Sequence, residues 1–442
     1  MKGTRRRALL GLGIIAAGIV GLAFSGNLSI HETRFAVFYG LSLVGFALLA
    51  TAARSLPLRG ILLAAVVLRL VLLPGTPTLS DDFYRFLWDG HVQLAGTNPY
   101  LYAPGDPALD GVEYADRDDV DFPTSRSPYP PLAQAMFLGV AALDGGWLLL
   151  KLLLGAFDLA TAAAVWRLAD AQRRHMATAL YLLCPAVIVQ TWDGAHLEAA
   201  TVFFVVLAAA MLVRRRDAAA GAALGVAAAF RLTPLALLVP ALLGGRAKPV
   251  RLLAGFLPAF ALPFVPYLLT GGATGSQFEA GTVWKGQSFA FAPIAWLTGS
   301  EIARALCAAL FLVGAVWIAR RLRGRHLTAP SFAWTLSLLV LCLPVAHAWY
   351  WLAPLTLALA AGLRVPVAAG LIAPLPEAFA LTWPPWLPPW REAWAVLPAL
   401  RVRGAPVPRL VRVLPSTIRT VVVRSRHLPH TGPARPWSEG EP

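Results

Sequence analysis

Apolar runs separated by short polar segments account for most of this chain. Many runs contain about twenty residues, the length of α-helix that crosses the hydrocarbon core of a bilayer. A membrane β-barrel would instead show segments of about ten residues in which apolar and polar positions alternate. The pattern therefore predicts an all-α polytopic membrane protein, a bundle of about 11 to 13 transmembrane helices.

The first apolar run follows the basic segment MKGTRRR and, being short, resembles a signal peptide. No small-x-small cleavage site follows it, and further apolar runs come after it. We therefore expect an uncleaved first helix whose N-terminus lies in the cytoplasm. Arginine clusters at 214–216 and 320–325 mark cytoplasmic loops, because Lys and Arg are enriched on that side of the membrane.

Two longer polar segments interrupt the apolar pattern. When successive runs alternate in direction, segments 75–131 and 271–300 become the first and second outer loops. The run 132–142 is too short to cross, so we expect it to be half-inserted or to lie along the interface. Arg231 separates two further short runs, which predicts a broken helix near the outer face.

These features divide the chain into three parts. Residues 1–56 are expected to form N-terminal transmembrane helices, 57–400 the main transmembrane domain, and 401–442 a tail on the cytoplasmic side. The tail is rich in Arg and Pro, and we expect it to be disordered. Before it, three tryptophans are expected to form an interfacial aromatic belt: Trp383, Trp386 and Trp390.

Composition supports the membrane class and excludes others. Hydrophobic residues make up 57% of the chain and charged residues 14%, whereas soluble domains carry about 25% charged residues. The net charge of +15 does not indicate nucleic-acid binding, because the arginines lie in short clusters between apolar runs. The cysteines Cys184, Cys307 and Cys342 have no CxxC spacing, so we interpret them as small core residues.

Candidate chemistry begins with adjacent carboxylates at the start of the first outer loop. Ser80-Asp81-Asp82 precedes a segment with helical apolar spacing, so one interpretation is a helix N-cap beginning at Asp82. The functional interpretation is a general base, because two adjacent carboxylates in a confined site are not both readily ionised. A third carboxylate, Asp89, follows within the same predicted helix and is a candidate substrate-binding residue.

Three cations are candidates for holding a phosphate group. Arg231 lies at the predicted helix break, where a guanidinium suits the phosphate of a lipid-linked substrate. Arg69, inside the third apolar run, either has a functional role or reaches the headgroups by snorkelling. Lys285 lies in the second outer loop. Lys151 and Asp158, seven residues apart on one helix face, are expected to form a structural buried pair.

Two further polar groups fall on the predicted outer face. The segment with Asp193, His196 and Glu198 is interpreted either as a metal site or as a helix cap with sugar contacts. His347, Trp349 and Tyr350 form either an interfacial belt or a platform for sugar or lipid phosphate. Because nearly all inner loops carry arginine clusters, we expect the outer groups to form one site.

Five segments in order resemble the C-type glycosyltransferases, which are polytopic enzymes that use polyprenyl-phosphate sugars. They are SDDFYRFLWDGHVQLAGTNPY, YPPLAQ, CPAVIVQTWDGAHLEAA, AAAFRLTPLALLVP and HAWYWLAPL. The resemblance spans about 61–355 and is nearest to bacterial polyprenyl-phosphate-mannose-dependent mannosyltransferases and to the mannosyltransferase of the GPI-anchor pathway. It implies a GT-C-like bundle with a long, catalytic first outer loop.

The resemblance also implies residue roles. Asp82 matches the essential aspartate, a base on the acceptor hydroxyl in an inverting transfer, and Asp81 supports it. Arg231 stands where the family often has Lys, and Ala348 where it usually has Pro. Ser80 replaces an aspartate of the GPI-anchor enzymes, so we expect no metal and no other cofactor, although some members use a divalent ion. Tyr129 of YPPLAQ is expected to contact substrate.

The sequence thus predicts a membrane glycosyltransferase of the inner (plasma) membrane with its active site on the periplasmic or extracellular face. It would transfer a hexose, with mannose as the expected sugar, from a polyprenyl-phosphate donor to a hydroxyl of a lipid or glycan acceptor. One alternative is a flippase or transporter of lipid-linked sugars, although no internal repeat is evident and the carboxylates lie on one face. Another is a non-catalytic assembly protein of the cell envelope, which would tolerate loss of Asp82.

Overall fold

A computed structural model describes residues 2–277 and 288–375, and this part of the chain is helical and lacks β-strands. The helices are α1 (Lys2–Ala23), α2 (Glu32–Ala50), α3 (Leu58–Leu72), α4 (Asp82–Leu94), α5 (Pro131–Ala142), α6 (Gly146–Leu168), α7 (Arg174–Leu182), α8 (Pro185–Trp192), α9 (Glu198–Val213), α10 (Asp217–Phe230), α11 (Leu238–Leu243), α12 (Pro249–Ala261), α13 (Val265–Leu269), α14 (Phe291–Thr298), α15 (Ser300–Arg321), α16 (Thr328–Cys342), α17 (Leu352–Ala361) and α18 (Arg364–Ile372). The predicted all-α class is confirmed.

Within the described residues, five helical segments are long and apolar enough to cross a membrane. They are α1, α2, α6, α15 and the segment Pro249–Leu269; α7 and α8, bent by 44°, form a sixth if they are counted together. Other apolar runs fold as helices of 10–17 residues. Continuous spans are therefore fewer than the apolar runs predicted, but the protein is a polytopic membrane protein.

Prolines and polar residues explain why several runs are broken. Pro185 begins α8, and Cys184 before it is extended with ψ of 116°, as expected for a residue that precedes proline. Arg231 ends α10 in an extended conformation, with φ of −149° and ψ of 140°. A 3₁₀ turn at Thr233–Leu237 with Pro234 near its start then leads into α11. The predicted helix break at Arg231 is confirmed.

The first predicted outer loop is built on the antiparallel contact of α4 with α5. Gly90 permits this contact, because a Cβ at that position would lie 2.4 Å from the carbonyl oxygen of Phe137. Phe86 stacks on Phe137, with ring centroids 4.8 Å apart. The helix begins at Asp82 as predicted, and the run 132–142 forms the short helix α5.

Asp158 on α6 joins α3, α7 and α8 in the buried core. Arg69 donates from Nε and Nη2 to its carboxylate at 2.6 and 3.2 Å. The Tyr181 hydroxyl and the Trp192 indole N–H also donate to it, at 2.7 and 2.8 Å. These three residues together satisfy the hydrogen-bonding capacity of the Asp158 carboxylate, which is 1% exposed.

The predicted pairing of Lys151 with Asp158 is wrong. Seven residues along an α-helix correspond to about 10 Å of axial rise, too far for a direct ion pair between these side chains. Lys151 instead donates to the carbonyl oxygens of Leu72 and Gly75, at 2.8 and 2.7 Å. The partner of Asp158 is Arg69, which the sequence did not indicate.

The Arg69→Met variant is expected to lower the free energy of unfolding by about 3–5 kcal/mol, because it leaves Asp158 charged and buried without its cation. Arg304→Met is the matched control, since Arg304 pairs with an exposed residue, Glu301. An exposed pair contributes little, so this variant should unfold like wild type. Thermal unfolding in detergent measures both. Equal stability of the two variants would contradict the structural role of Arg69.

Candidate active site

Arg231 lies at the helix break and is held by a carboxylate and two aromatic rings. Its Nε is 2.9 Å from Oε1 of Glu198, the first residue of α9, and its Nη2 donates to Oε2 at 3.4 Å. The guanidinium carbon is 5.7 Å from the ring centre of Tyr129 and 5.5 Å from that of Tyr350. These distances are within the range of cation–π attraction, so Arg231 is fixed on several sides.

Asp82, at the start of α4, is the second carboxylate near this guanidinium. The Asp82 charge acts on Arg231, Glu198 and Tyr129. The start of α4 therefore lies near the helix break at Arg231. The Asp82 backbone N–H donates to the Ser80 hydroxyl at 3.1 Å and so fixes the first turn. The structure therefore brings together five of the predicted site residues: Asp82, Tyr129, Glu198, Arg231 and Tyr350.

Asp81 has a different environment from Asp82. Partial burial raises the pKa of its carboxyl group, and the charges of Asp82 and Asp119 raise it further. Burial and the charges of Asp81 and Asp82 likewise raise the pKa of Asp121. Asp81 and Asp82 thus both act within an acidic group that includes residues 119 and 121, and the charge of Asp82 also acts on Arg231.

A stack of three rings lies beside the Arg231 group. His196 stacks on Trp349 with ring centroids 3.8 Å apart, and His347 stacks on Trp349 at 4.3 Å. Both ring nitrogens of His196 and the Trp349 indole nitrogen are buried without a hydrogen-bond partner. Buried polar atoms usually have a partner, so these groups are suited to bind a polar ligand. The ring stack therefore places His196, His347 and Trp349 in the candidate site.

Asp193 is directed toward the beginning of the outer loop. Its carboxylate accepts the Thr78 hydroxyl at 2.9 Å, with the backbone N–H groups of Thr78 and Leu79 nearby. Burial raises the pKa of Asp193 to about 6, although these donors and the charge of Lys151 oppose the shift. In the structure Asp193 anchors the chain at Thr78, and its expected contact with substrate stays a prediction.

Asp89 is likewise engaged inside the protein. It pairs with Arg85 at 3.0 Å, accepts the Gln134 amide at 2.8 Å, and accepts the Ser127 hydroxyl. At 1% exposure it holds α4 against the segment before α5. Of the other candidates, Arg69 lies in the core pair described above, and Lys285 falls outside the described residues, as do the three tryptophans of the predicted belt.

Sequence reasoning missed several residues that support the site. Arg85, buried against Asp89, could have been recognised from its i, i+4 spacing on α4. Asn98 donates to the Thr270 hydroxyl at 3.0 Å and to the Gly272 carbonyl oxygen at 2.7 Å, which fixes the segment between α4 and α5 to the residues after α13. Asn98 lies far from Thr270 and Gly272 in sequence, so no local sequence pattern indicated these contacts.

The described residues contain no cluster of His, Cys, Asp and Glu arranged to hold a metal ion. The three cysteines are buried, as predicted, and they are unbridged.

Comparison with known proteins gives one result for this chain. Residues 9–244, more than half of the chain, match the family described as alpha-(1->6)-mannopyranosyltransferase, N-terminal domain. No curated protein and no solved structure matches the chain. The matched region includes Asp82, His196, Glu198 and Arg231, whereas Trp349 and His347 lie beyond it.

Proposed function

The chain belongs to the alpha-(1->6)-mannopyranosyltransferase family, and from this membership we propose a specific reaction for it. The protein is a membrane mannosyltransferase. We propose that its donor is a polyprenyl-phosphate mannose and its acceptor a hydroxyl of a lipid or glycan. The reaction would take place on the outer face of the inner membrane.

The observation that carries this proposal is the placement of Arg231 between Glu198 and the beginning of α4. A guanidinium is planar and presents two edges that match phosphate oxygens. Glu198 occupies the edge formed by Nε and Nη2. The donor phosphate would bind at the other edge, where the rings of Tyr129 and Tyr350 restrict the orientation of the fork.

The proposed mechanism is a single displacement. Asp82 removes the proton of the acceptor hydroxyl, and the oxygen attacks the anomeric carbon as the bond from that carbon to the phosphate oxygen breaks. Polyprenyl phosphate leaves with the bonding electrons, and Arg231 stabilises its negative charge. Displacement inverts the anomeric centre, so an α-linked product requires a β-linked donor.

Purified protein in lipid vesicles is expected to move radiolabelled mannose from polyprenyl-phosphate mannose to a membrane glycolipid acceptor. GDP-mannose, the matched soluble donor, should give no transfer, because the described site offers one arginine for the two phosphates of a nucleotide sugar. Extraction and chromatography of the labelled glycolipid measure both reactions. Transfer from GDP-mannose would contradict the lipid donor, and movement of unreacted donor between leaflets would favour a transporter.

A further inference from the structure

The 73–80 strap, the segment between α3 and α4, carries no candidate catalytic group but leads directly to Asp81 and Asp82. Its first half is held by Lys151 from the second turn of α6. The Lys151 ammonium donates to the carbonyl oxygens of Leu72 and Gly75, at 2.8 and 2.7 Å. The lysine side chain is fully buried, so these bonds compensate the cost of removing the ammonium from water.

Asp193, directly after α8, holds the second half of the strap. It accepts the Thr78 hydroxyl at 2.9 Å, and the N–H groups of Thr78 and Leu79 lie nearby. Lys151 and Asp193 also attract each other electrostatically. A buried cation on α6 and a buried anion directly after α8 therefore fix the two halves of the strap.

The position of Asp193 connects this anchor to the candidate site. Glu198, the partner of Arg231, follows Asp193 by five residues. The intervening turn is tight, because Ala195 adopts a φ of 50° and a Cβ on Gly194 would lie 2.6 Å from the His196 ring. One short segment thus holds the strap that ends at Asp82 and also carries Glu198.

We propose that Lys151 and Asp193 are positioning residues for the transfer, holding the 73–80 strap so that Asp82 faces Arg231. This inference rests on the proposed function, in which Asp82 is the base and Arg231 binds the donor phosphate. Neither residue touches substrate. The alternative is that both merely cap helix ends and stabilise the fold.

In Asp193→Asn, an amide N–H₂ group replaces one acceptor oxygen among N–H and O–H donors from the strap. The shape of the side chain is kept, but the strap loses part of its anchor. A displacement of about 1 Å at a reacting group lowers rates by up to about 10²-fold. We expect kcat to fall by about 10- to 100-fold, whereas KM for the lipid donor changes by less than about threefold because Arg231 is unaltered.

Asp217→Asn is the matched control. Asp217 is also a buried carboxylate that accepts a backbone N–H, from Lys248 at 2.9 Å, and pairs with Arg325 at 2.7 Å. It follows the far end of α9, whose 16 residues span about 24 Å from Glu198. This variant should lower the unfolding temperature as Asp193→Asn does, and it should keep the kcat of wild type.

Hydrogen exchange provides a readout that does not depend on activity. In lipid nanodiscs, peptides covering residues 73–82 should exchange faster in Asp193→Asn and Lys151→Met than in wild type, and Asp217→Asn should leave them unchanged. Unchanged exchange of these peptides in Asp193→Asn would overturn the inference, as would a kcat equal to that of Asp217→Asn. Absence of transfer by wild type would instead contradict the proposed function, and the exchange result would still test the anchor.

Discussion

The Asp82→Asn variant is expected to transfer mannose about 10²- to 10⁴-fold more slowly than wild type, the range that a general base contributes. Asparagine keeps the size of the side chain, and the bond of the residue-82 backbone N–H to Ser80 is unaffected, but the amide cannot take the acceptor proton. Asp82 is the outer-loop carboxylate whose charge acts on both Arg231 and Glu198. Initial rates with saturating lipid donor and acceptor measure the loss in kcat.

Asp81→Asn is the matched control for this variant. Both substitutions remove one negative charge from adjacent positions, but Asp81 is grouped with Asp119, and its charge is not among those that act on Arg231. We therefore expect Asp81→Asn to keep most of the wild-type rate. A larger loss in Asp81→Asn than in Asp82→Asn would assign the base to Asp81 and contradict the proposed mechanism.

The Arg231→Gln variant is expected to lower kcat/KM for the lipid donor by about 10²- to 10³-fold, as loss of one group that stabilises a developing charge does. Glutamine retains hydrogen-bonding capacity but lacks the cation that would bind the phosphate and stabilise it as it leaves. Arg231→Lys should retain part of the activity, because it keeps the charge and loses the fork. Steady-state kinetics with varied donor separate effects on KM from effects on kcat.

Loss of Arg231 also leaves Glu198 buried without its cation, so a structural effect must be distinguished from a catalytic one. The double variant Arg231→Gln with Glu198→Gln removes the unpaired charge and should recover stability. It should not recover transfer, because the phosphate still lacks its cation. Recovery of activity in the double variant would show that Arg231 acts only as the partner of Glu198.

Two candidate carboxylates have protein partners that the sequence did not indicate. Asp89 and Asp193 were expected to bind substrate, and both lie near the loop that forms the site. Their carboxylates, however, are engaged by protein donors: Asp89 by Arg85 and Gln134, and Asp193 by Thr78 and the strap. An aspartate in a polar loop has the same sequence signature whether it faces a ligand or a neighbouring segment, so the pattern could not separate these roles.

The sequence by itself determined the class of the protein and one of its helix breaks. Run length and composition specify membrane helices, because backbone groups in a bilayer must be paired within the helix. The polar Arg231 marked one interruption, since a charged residue is costly inside an apolar helix. The break at Pro185 was not predicted, although proline lacks an N–H. The order of the five motifs indicated the mannosyltransferase superfamily, and the family comparison confirmed it.

Only the tertiary structure decided which charges meet. Arg69 and Asp158 are 89 residues apart in sequence, and Glu198 and Arg231 are 33 apart. Helix periodicity determines which residues share a face, but it does not specify the face of another helix that lies opposite. Each buried charge selects the partner that packing brings within hydrogen-bond distance, because an unpaired charge in an apolar interior is too costly. For that reason Lys151 bonds the strap, Asp158 bonds Arg69, and Arg231 pairs with Glu198 at the start of α9.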